Sequence, residues 1–359
     1  MIAPSPTSGW DAAAFRASVQ AALDTFLDDQ ADRLAALGSD AARLLAEARA
    51  SVRGGKRFRA AFCYWGYRAV REPVDEAALV RACAALELLH ASALVHDDYL
   101  DASDTRRGRP ATHRTFEAQH RTAGWRGDPE QYGAAAAILL GDLLLAWSDE
   151  MLRCCGLAEP DVSRALRVFD LCRSEVIAGQ FLDVSVQARG RADVDTAMTV
   201  LRFKSAKYSI QRPLHIGAAL AGADEETVRV LGGFGLPLGE AFQLRDDLLG
   251  VFGDPAVTGK PAGDDLVEGK RTVLVALALD AVGRDDAALL DASLGSALSP
   301  AEVGRLREVI DRSGAHAQVE EVIEALADRA VTTLEGAEID EVARGVLREL
   351  AAAATQRVV

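Results

Sequence analysis

The residues that could do chemistry are carboxylates in two clusters. His96-Asp97-Asp98-Tyr99-Leu100-Asp101 closes one apolar run, and Gln243-Leu244-Arg245-Asp246-Asp247 stands inside another. Asp97 and Asp101 are four apart, so on a helix their carboxylates share one face, a turn apart. Like charges so placed repel unless a cation lies between them. Mg²⁺ suits that place: a hard ion that takes one or two carboxylates and completes its octahedron with water and substrate phosphate. In a chain with 54 acidic residues such a pattern arises about once by chance, so spacing alone carries little. The surroundings carry more. Leu86, Leu89, Ala93 and Leu94 precede the first cluster; Phe242, Leu244, Leu248, Leu249 and Val251 enclose the second. Helices apolar on most sides are buried, and buried carboxylates without partners are very costly. The expectation is two acidic clusters facing one cavity and binding metal.

Basic groups stand at separate points. In Arg53-Gly54-Gly55-Lys56-Arg57-Phe58-Arg59 two glycines precede Lys-Arg-x-Arg at a helix start, an arrangement that suits an anion, although alone it fits a surface helix start equally well. Thr105-Arg106-Arg107-Gly108-Arg109-Pro110 follows the first cluster, and Lys204-Ser205 falls in a later helical stretch. Lys260 and Lys270 flank an acidic loop whose Gly259, Gly263 and Gly269 suggest a closing lid. Two carboxylate clusters with separated cations are chemistry for two diphosphates, one held through Mg²⁺, the other by Lys and Arg directly. The chain has no nucleophile elbow, no GxxxxGK[ST] loop and no Cys/His ligand set, so acyl transfer, P-loop and zinc chemistry find no support.

Helices must position these groups. Alternating β-branched runs are absent, while Ala, Leu, Glu and Arg recur at helical intervals. The pattern predicts helices over 12–50 (one or two), 57–71, 75–101, 133–155, 160–189, 193–222, 224–253, 271–283, 285–294, 300–313, 316–331 and 338–354. Loops are expected at 102–112 and 121–132. Asp161, Asp193 and Ser299 with Glu302 read as helix-start signals. No linker or repeat divides the chain, so we expect one large all-α bundle around a deep central cavity over 11–359, after a flexible 1–10. With 359 residues, 49% of them hydrophobic, there is material for a sizeable core.

Net charge excludes other classes. At −14 the chain lacks the basic stripe of a nucleic-acid binder or the basic face of a membrane-surface scaffold. The five cysteines show no CxxC spacing and read as buried thiols. The first residues, MIAPSPTSGW, have neither basic nor apolar leader character, and the apolar stretch Ala134 to Trp147 is interrupted by Asp142. A cytoplasmic protein with no integral membrane segment is expected.

Six ordered segments, GGKRFR (54–59), ELLHASALVHDDYLDASDTRRGRP (87–110), GQFLDV (179–184), FKSAKYS (203–209), FQLRDDLLGVFGD (242–254) and the Lys260/Lys270 pair, resemble the trans-prenyltransferase (polyprenyl diphosphate synthase) family. The resemblance implies an all-α fold, a homodimer, and condensation of isopentenyl diphosphate with an allylic diphosphate using two to three Mg²⁺ ions. It further implies that Lys56, Arg59, His90 and Arg107 hold isopentenyl diphosphate, that Asp97, Asp101 and Asp246 ligate Mg²⁺, and that Arg106, Lys204, Lys260 and Lys270 grip the allylic diphosphate. Gln243 and the backbone around Lys204–Ser205 would stabilise developing positive charge. His96 and Tyr208 are expected to be structural, while Gln180 and Asp183 read equally as support for the site or as helix packing. One departure stands out: where the family commonly has a third acidic residue, this chain has Gly250.

Chain length is read from the turns before Asp97. Ser92 and Ala93 are small and leave no floor, and Leu89 lies a turn further back. Geranylgeranyl diphosphate (C20) is the expected product, with farnesyl diphosphate (C15) second. A class I terpene cyclase would not need the GGKR and RRG segments, and a non-catalytic partner subunit would not keep Asp97, Asp98, Asp101, Asp246 and Asp247.

Overall fold

Several helices begin where an oxygen side chain takes up free backbone amides. Asp11, Asp75, Asp128, Asp193, Asp224, Thr272 and Ser299 are such caps, Ser299 forming a reciprocal capping box with Glu302. Asp161 is not one of them: it sits in the first turn of its helix, behind Ala158. The structure, a computed structural model, describes residues 9–190, 193–253 and 263–355. Of the stretch 1–10 expected to be flexible, 1–8 lie outside the described residues, whereas Trp10 packs on Phe15 and Trp65.

The chain is all-α. In order come α1 (Ala12–Leu34), α2 (Ser39–Ser51), α3 (Phe58–Arg68), α4 (Glu76–Leu100), α5 (Thr112–Ala123), α6 (Pro129–Arg153), α7 (Glu159–Arg189), α8 (Val194–Val200), α9 (Arg212–Ala221) and α10 (Glu225–Phe252). The short α11 (Asp264–Val267) follows, then α12 (Val273–Ala281), α13 (Arg284–Ser293), α14 (Pro300–Ser313), α15 (Ala315–Glu335) and α16 (Glu341–Thr355). Among the described residues the strands are two dipeptides, β1 (Thr105–Arg106) and β2 (Arg109–Pro110), paired antiparallel. Arg107 and Gly108 at their tip both have positive φ, as a two-residue hairpin turn requires. The hairpin and α5 occupy a region read as loop ending at 112 with nothing assigned before 121.

α4 is the central helix. It packs on α6, α3 and α1, and is buried almost throughout. It is also, among the described residues, the helix long and apolar enough to cross a membrane. Its apolar surface is instead satisfied by neighbouring helices, as in the core helix of a folded bundle. α10 joins two apolar cores: its first half belongs with α3, α4 and α9, its second half with α12, α14 and α15.

The stretch 201–211, expected to be ordinary helix, is π-helical and runs unbroken from α8 into α9. Its backbone is gripped from two sides. A β-carbon on Gly179 of α7 would lie 2.3 Å from the Lys204 nitrogen, and one on Gly239 of α10 would lie 2.5 Å from the Ala206 oxygen. Only glycine permits either approach.

Candidate active site

α4, α7, the π-helical stretch and α10 enclose a cavity of about 1380 Å³. The expected residues Lys56, Arg59, Leu89, His90, Ser92, Ala93, Asp97, Arg106, Arg107, Lys204, Ser205, Gln243, Asp246 and Lys270 all line it. Lys260 lies outside the described residues, as does Asp254. Asp101 is the exception. Expected to share the cavity face with Asp97, it is the residue that ends α4, and its side chain is 2% exposed, covered by Lys270. Asp97 itself is held from two sides: the Gln180 amide donates to it at 2.9 Å, and Lys204 Nζ stands 3.1 Å away. Lys204 also donates to Asp183 at 2.6 Å. Gln180 and Asp183, which the sequence left undecided, thus support the site. π-helices gather at functional positions, and here one presents Lys204, Ser205 and Tyr208 to the cavity.

Charge is unevenly shared between the two aspartates of α4. Burial would raise Asp97, but Lys204, Lys270 and Arg106 outweigh it and hold the carboxyl down at about 2. Burial and the Asp97 charge push Asp101 up to about 6. Both Asp101 oxygens are buried without a hydrogen bond; Lys270 Nζ, 3.5 Å off, is its counter-charge. Lys270 also pairs with Glu268 at 2.5 Å, and Glu268 accepts from Ser103 at 2.7 Å, so the segment after Gly263 is tied to the end of α4. On the opposite bank Asp246 lines the cavity, and Gln243 donates to the buried Asp247 at 2.8 Å.

A second, cationic region lies beside Tyr208. Arg59 stacks 4.2 Å over its ring and donates to Ser209 at 2.7 Å; His90 Nδ1 is 3.2 Å from its hydroxyl. Tyr208, expected to be structural, therefore orders two site residues. Burial, then Arg59, Arg107, Arg106 and Arg57, drive the His90 pKa well below its usual value, so the ring is neutral. Arg107 donates to the Arg53 carbonyl at 3.1 Å, drawing the hairpin tip onto the glycine turn. Arg106 is engaged by the buried Asp98 at 2.7 Å. His96 contacts the Ile138 carbonyl at 3.2 Å and lines the cavity wall.

Two residues that hold this region were not singled out from sequence. Arg57, in the left-handed conformation at the start of α3, pairs with Glu87 of α4 at 3.0 Å in the cavity wall. Both side chains are buried, and Glu87 also accepts from the Ala60 amide at 3.2 Å. Arg57 is held by Glu87, while Lys56 and Arg59 line the same wall. A signal existed: an acid inside the apolar run of α4 demands a cationic partner.

The residues fit Mg²⁺. Asp101 carries orphaned carboxylate oxygens, and hard oxygen donors stand on both banks. Among the described residues no three potential ligands form a closed cage, which suits an ion that keeps water and takes substrate phosphate.

A family model described as polyprenyl synthetase matches residues 42–312. The geranylgeranyl diphosphate synthase of Mycobacterium tuberculosis is 36% identical over 72% of this chain and 69% of its own. The geranylfarnesyl diphosphate synthase of Aeropyrum pernix is 34% identical over 73% and 77%. The crystal structure of a Corynebacterium glutamicum geranylgeranyl pyrophosphate synthase, complexed with isoprenyl diphosphate and magnesium, superposes with a TM-score of 0.95 at 40% identity, covering 97% of this chain and all of that one. Family model, relatives and fold agree with a cavity that is ionic at one end and apolar along α4, and the chain belongs to the polyprenyl synthetase family of trans-prenyltransferases.

Proposed function

We propose that the protein condenses isopentenyl diphosphate with an allylic diphosphate and releases geranylgeranyl diphosphate and pyrophosphate. The observation that supports the class of chemistry is the pair of ionic regions in one cavity, acidic around Asp97 and Asp246 and cationic around Arg59 and Arg107. Asp97, Asp101 and Asp246 would hold two to three Mg²⁺ ions, which supply positive charge against the departing diphosphate. Lys204, Arg106 and Lys270 bind the allylic diphosphate, Lys270 leaving Asp101 to do so. Lys56, Arg59, Arg107 and the neutral His90 fix isopentenyl diphosphate with its double bond toward the allylic carbon. As the C–O bond breaks, Gln243 and the carbonyls near Lys204–Ser205 face the carbocation. The double bond attacks, one proton leaves to the released pyrophosphate, and the segment tied to α4 keeps water out.

Small side chains support the C20 length. Ser92 and Ala93 stand about one helical turn, ~5.4 Å, before Asp97, and both line the cavity with Leu145, Val176 and Ile177. A tail can pass them and reach Leu89. Incubation with isopentenyl diphosphate, Mg²⁺ and each of the C5, C10 and C15 primers, read by mass spectrometry, tests both levels. C20 from all three is expected; a stop at C15 overturns the length, and no elongation overturns the class.

A second copy of the chain belongs on α6 and α7. Leu139, Ile177 and Phe181 are 63%, 56% and 74% exposed. Ile177, Phe181 and Val184 also line the cavity, so its wall is completed by whatever covers them. A homodimer buries this face and closes the tail channel.

A further inference from the structure

Gly250 and Asp265 compete for one volume. A β-carbon built on Gly250 would lie 2.0 Å from Oδ2 of Asp265 and 2.4 Å from its Cγ. The Asp265 carboxylate, carried by α11, therefore lies over α10 where a side chain at 250 would emerge. Position 250 is one turn beyond Asp246, on the same helix face. α10 thus presents Asp246 and, four positions on, a carboxylate borrowed from another helix, the same spacing that α4 provides with Asp97 and Asp101. Asp246, Asp247, Gly250 and Asp265 all line the cavity.

A separate observation ties Asp265 to the ligand. Lys270 Nζ lies 3.4 Å from Oδ1 of Asp265 and 3.5 Å from Oδ2 of Asp101. Asp101 is sealed from solvent with neither oxygen hydrogen-bonded. The two acidic banks therefore meet at one ammonium, and once Lys270 turns to a diphosphate both are left needing a cation.

We infer that Asp265 is a working carboxylate of the second acidic bank, holding a divalent cation and its diphosphate together with Asp246, and that Gly250 is the gap that admits it. The inference rests on reading the cavity as a metal–diphosphate site.

The test uses the full chain, Mn²⁺ and inorganic pyrophosphate, with free Mn²⁺ counted by electron paramagnetic resonance. Asp265→Asn, nearly isosteric, should weaken pyrophosphate-dependent Mn²⁺ binding by about tenfold or more. Gly250→Ala removes no charge but expels the carboxylate, and should weaken it comparably. The exchange Gly250→Asp with Asp265→Gly should restore most of the loss. Circular dichroism confirms folding of each variant; if Gly250→Ala unfolds, Asp265→Asn still decides. Wild-type binding in Asp265→Asn, alongside loss in Asp97→Ala, overturns the role of Asp265 and leaves the diphosphate site standing. Failure of the unmodified protein to bind Mn²⁺ with pyrophosphate overturns both.

Discussion

Lys204 Nζ stands between Asp97 at 3.1 Å and Asp183 at 2.6 Å. One ammonium thus neutralises two carboxylates of the cavity wall. Asp97→Ala therefore leaves Lys204 paired with Asp183, and the fold should survive. Turnover should fall by roughly a thousandfold, the scale of losing one strong electrostatic contact in a reacting site. Steady-state assay with a melting curve on the same sample checks this; wild-type rates in the variant remove Asp97 from the chemistry.

Glu87 and Arg57 form a pair whose side chains are 5% and 4% exposed. Removing one partner strands a buried charge, so Glu87→Ala should cost about 3–5 kcal/mol. Urea unfolding reads this directly. Because the pair anchors the turn carrying Lys56 and Arg59, the milder Glu87→Gln should raise KM for isopentenyl diphosphate more than it lowers kcat.

His90 gives a pH dependence with a definite sign. Its folded pKa lies well below the usual 6.5, so under acidic conditions the unfolded chain binds the extra proton first. Its contribution to stability is complete above about 6.5 and is lost as pH falls below that value. His90→Gln should flatten this part of the stability profile, and imidazole NMR shifts should show no titration near pH 6.5 in the free protein. A bound pyrophosphate, facing the same arginines, should raise the pKa.

Ala93→Phe places a ring in the tail channel a turn before Asp97. The product should shorten to C15 or C10, with the rate of the first condensation retained. An unchanged product spectrum by mass spectrometry would show that the tail takes another route.

Phe181→Glu puts a charge on the exposed apolar face of α7. Light scattering should show a monomer where the unmodified chain is a dimer. If the unmodified chain is itself monomeric, the face has another role.

Much of this site could be read from residue order, because each element announces itself locally. Apolar residues at helical spacing set α4 and α10, and the acidic clusters within them pointed to the cavity that Asp97 and Asp246 line. What escaped depends on contacts between distant segments. The π-helical register of 201–211 is fixed by Gly179 and Gly239 on two other helices, which no local periodicity reports. Asp101 falls under Lys270 because α4 ends there and a segment some 165 residues later folds over it. Asp265 reads as one more acid in an acidic loop until Gly250 is seen beneath it.

The clamp on 201–211 also limits how this chain can be redesigned. Each residue of a helix turns it by a large part of a right angle, so one inserted or deleted residue between Gly179's contact at Lys204 and Gly239's at Ala206 would swing Tyr208 and Ser209 off Arg59. Substitution libraries can explore the segment freely at outward positions. Its length, however, is set, and grafting from homologues of different spacing should fail here while succeeding in the connections between α13, α14 and α15.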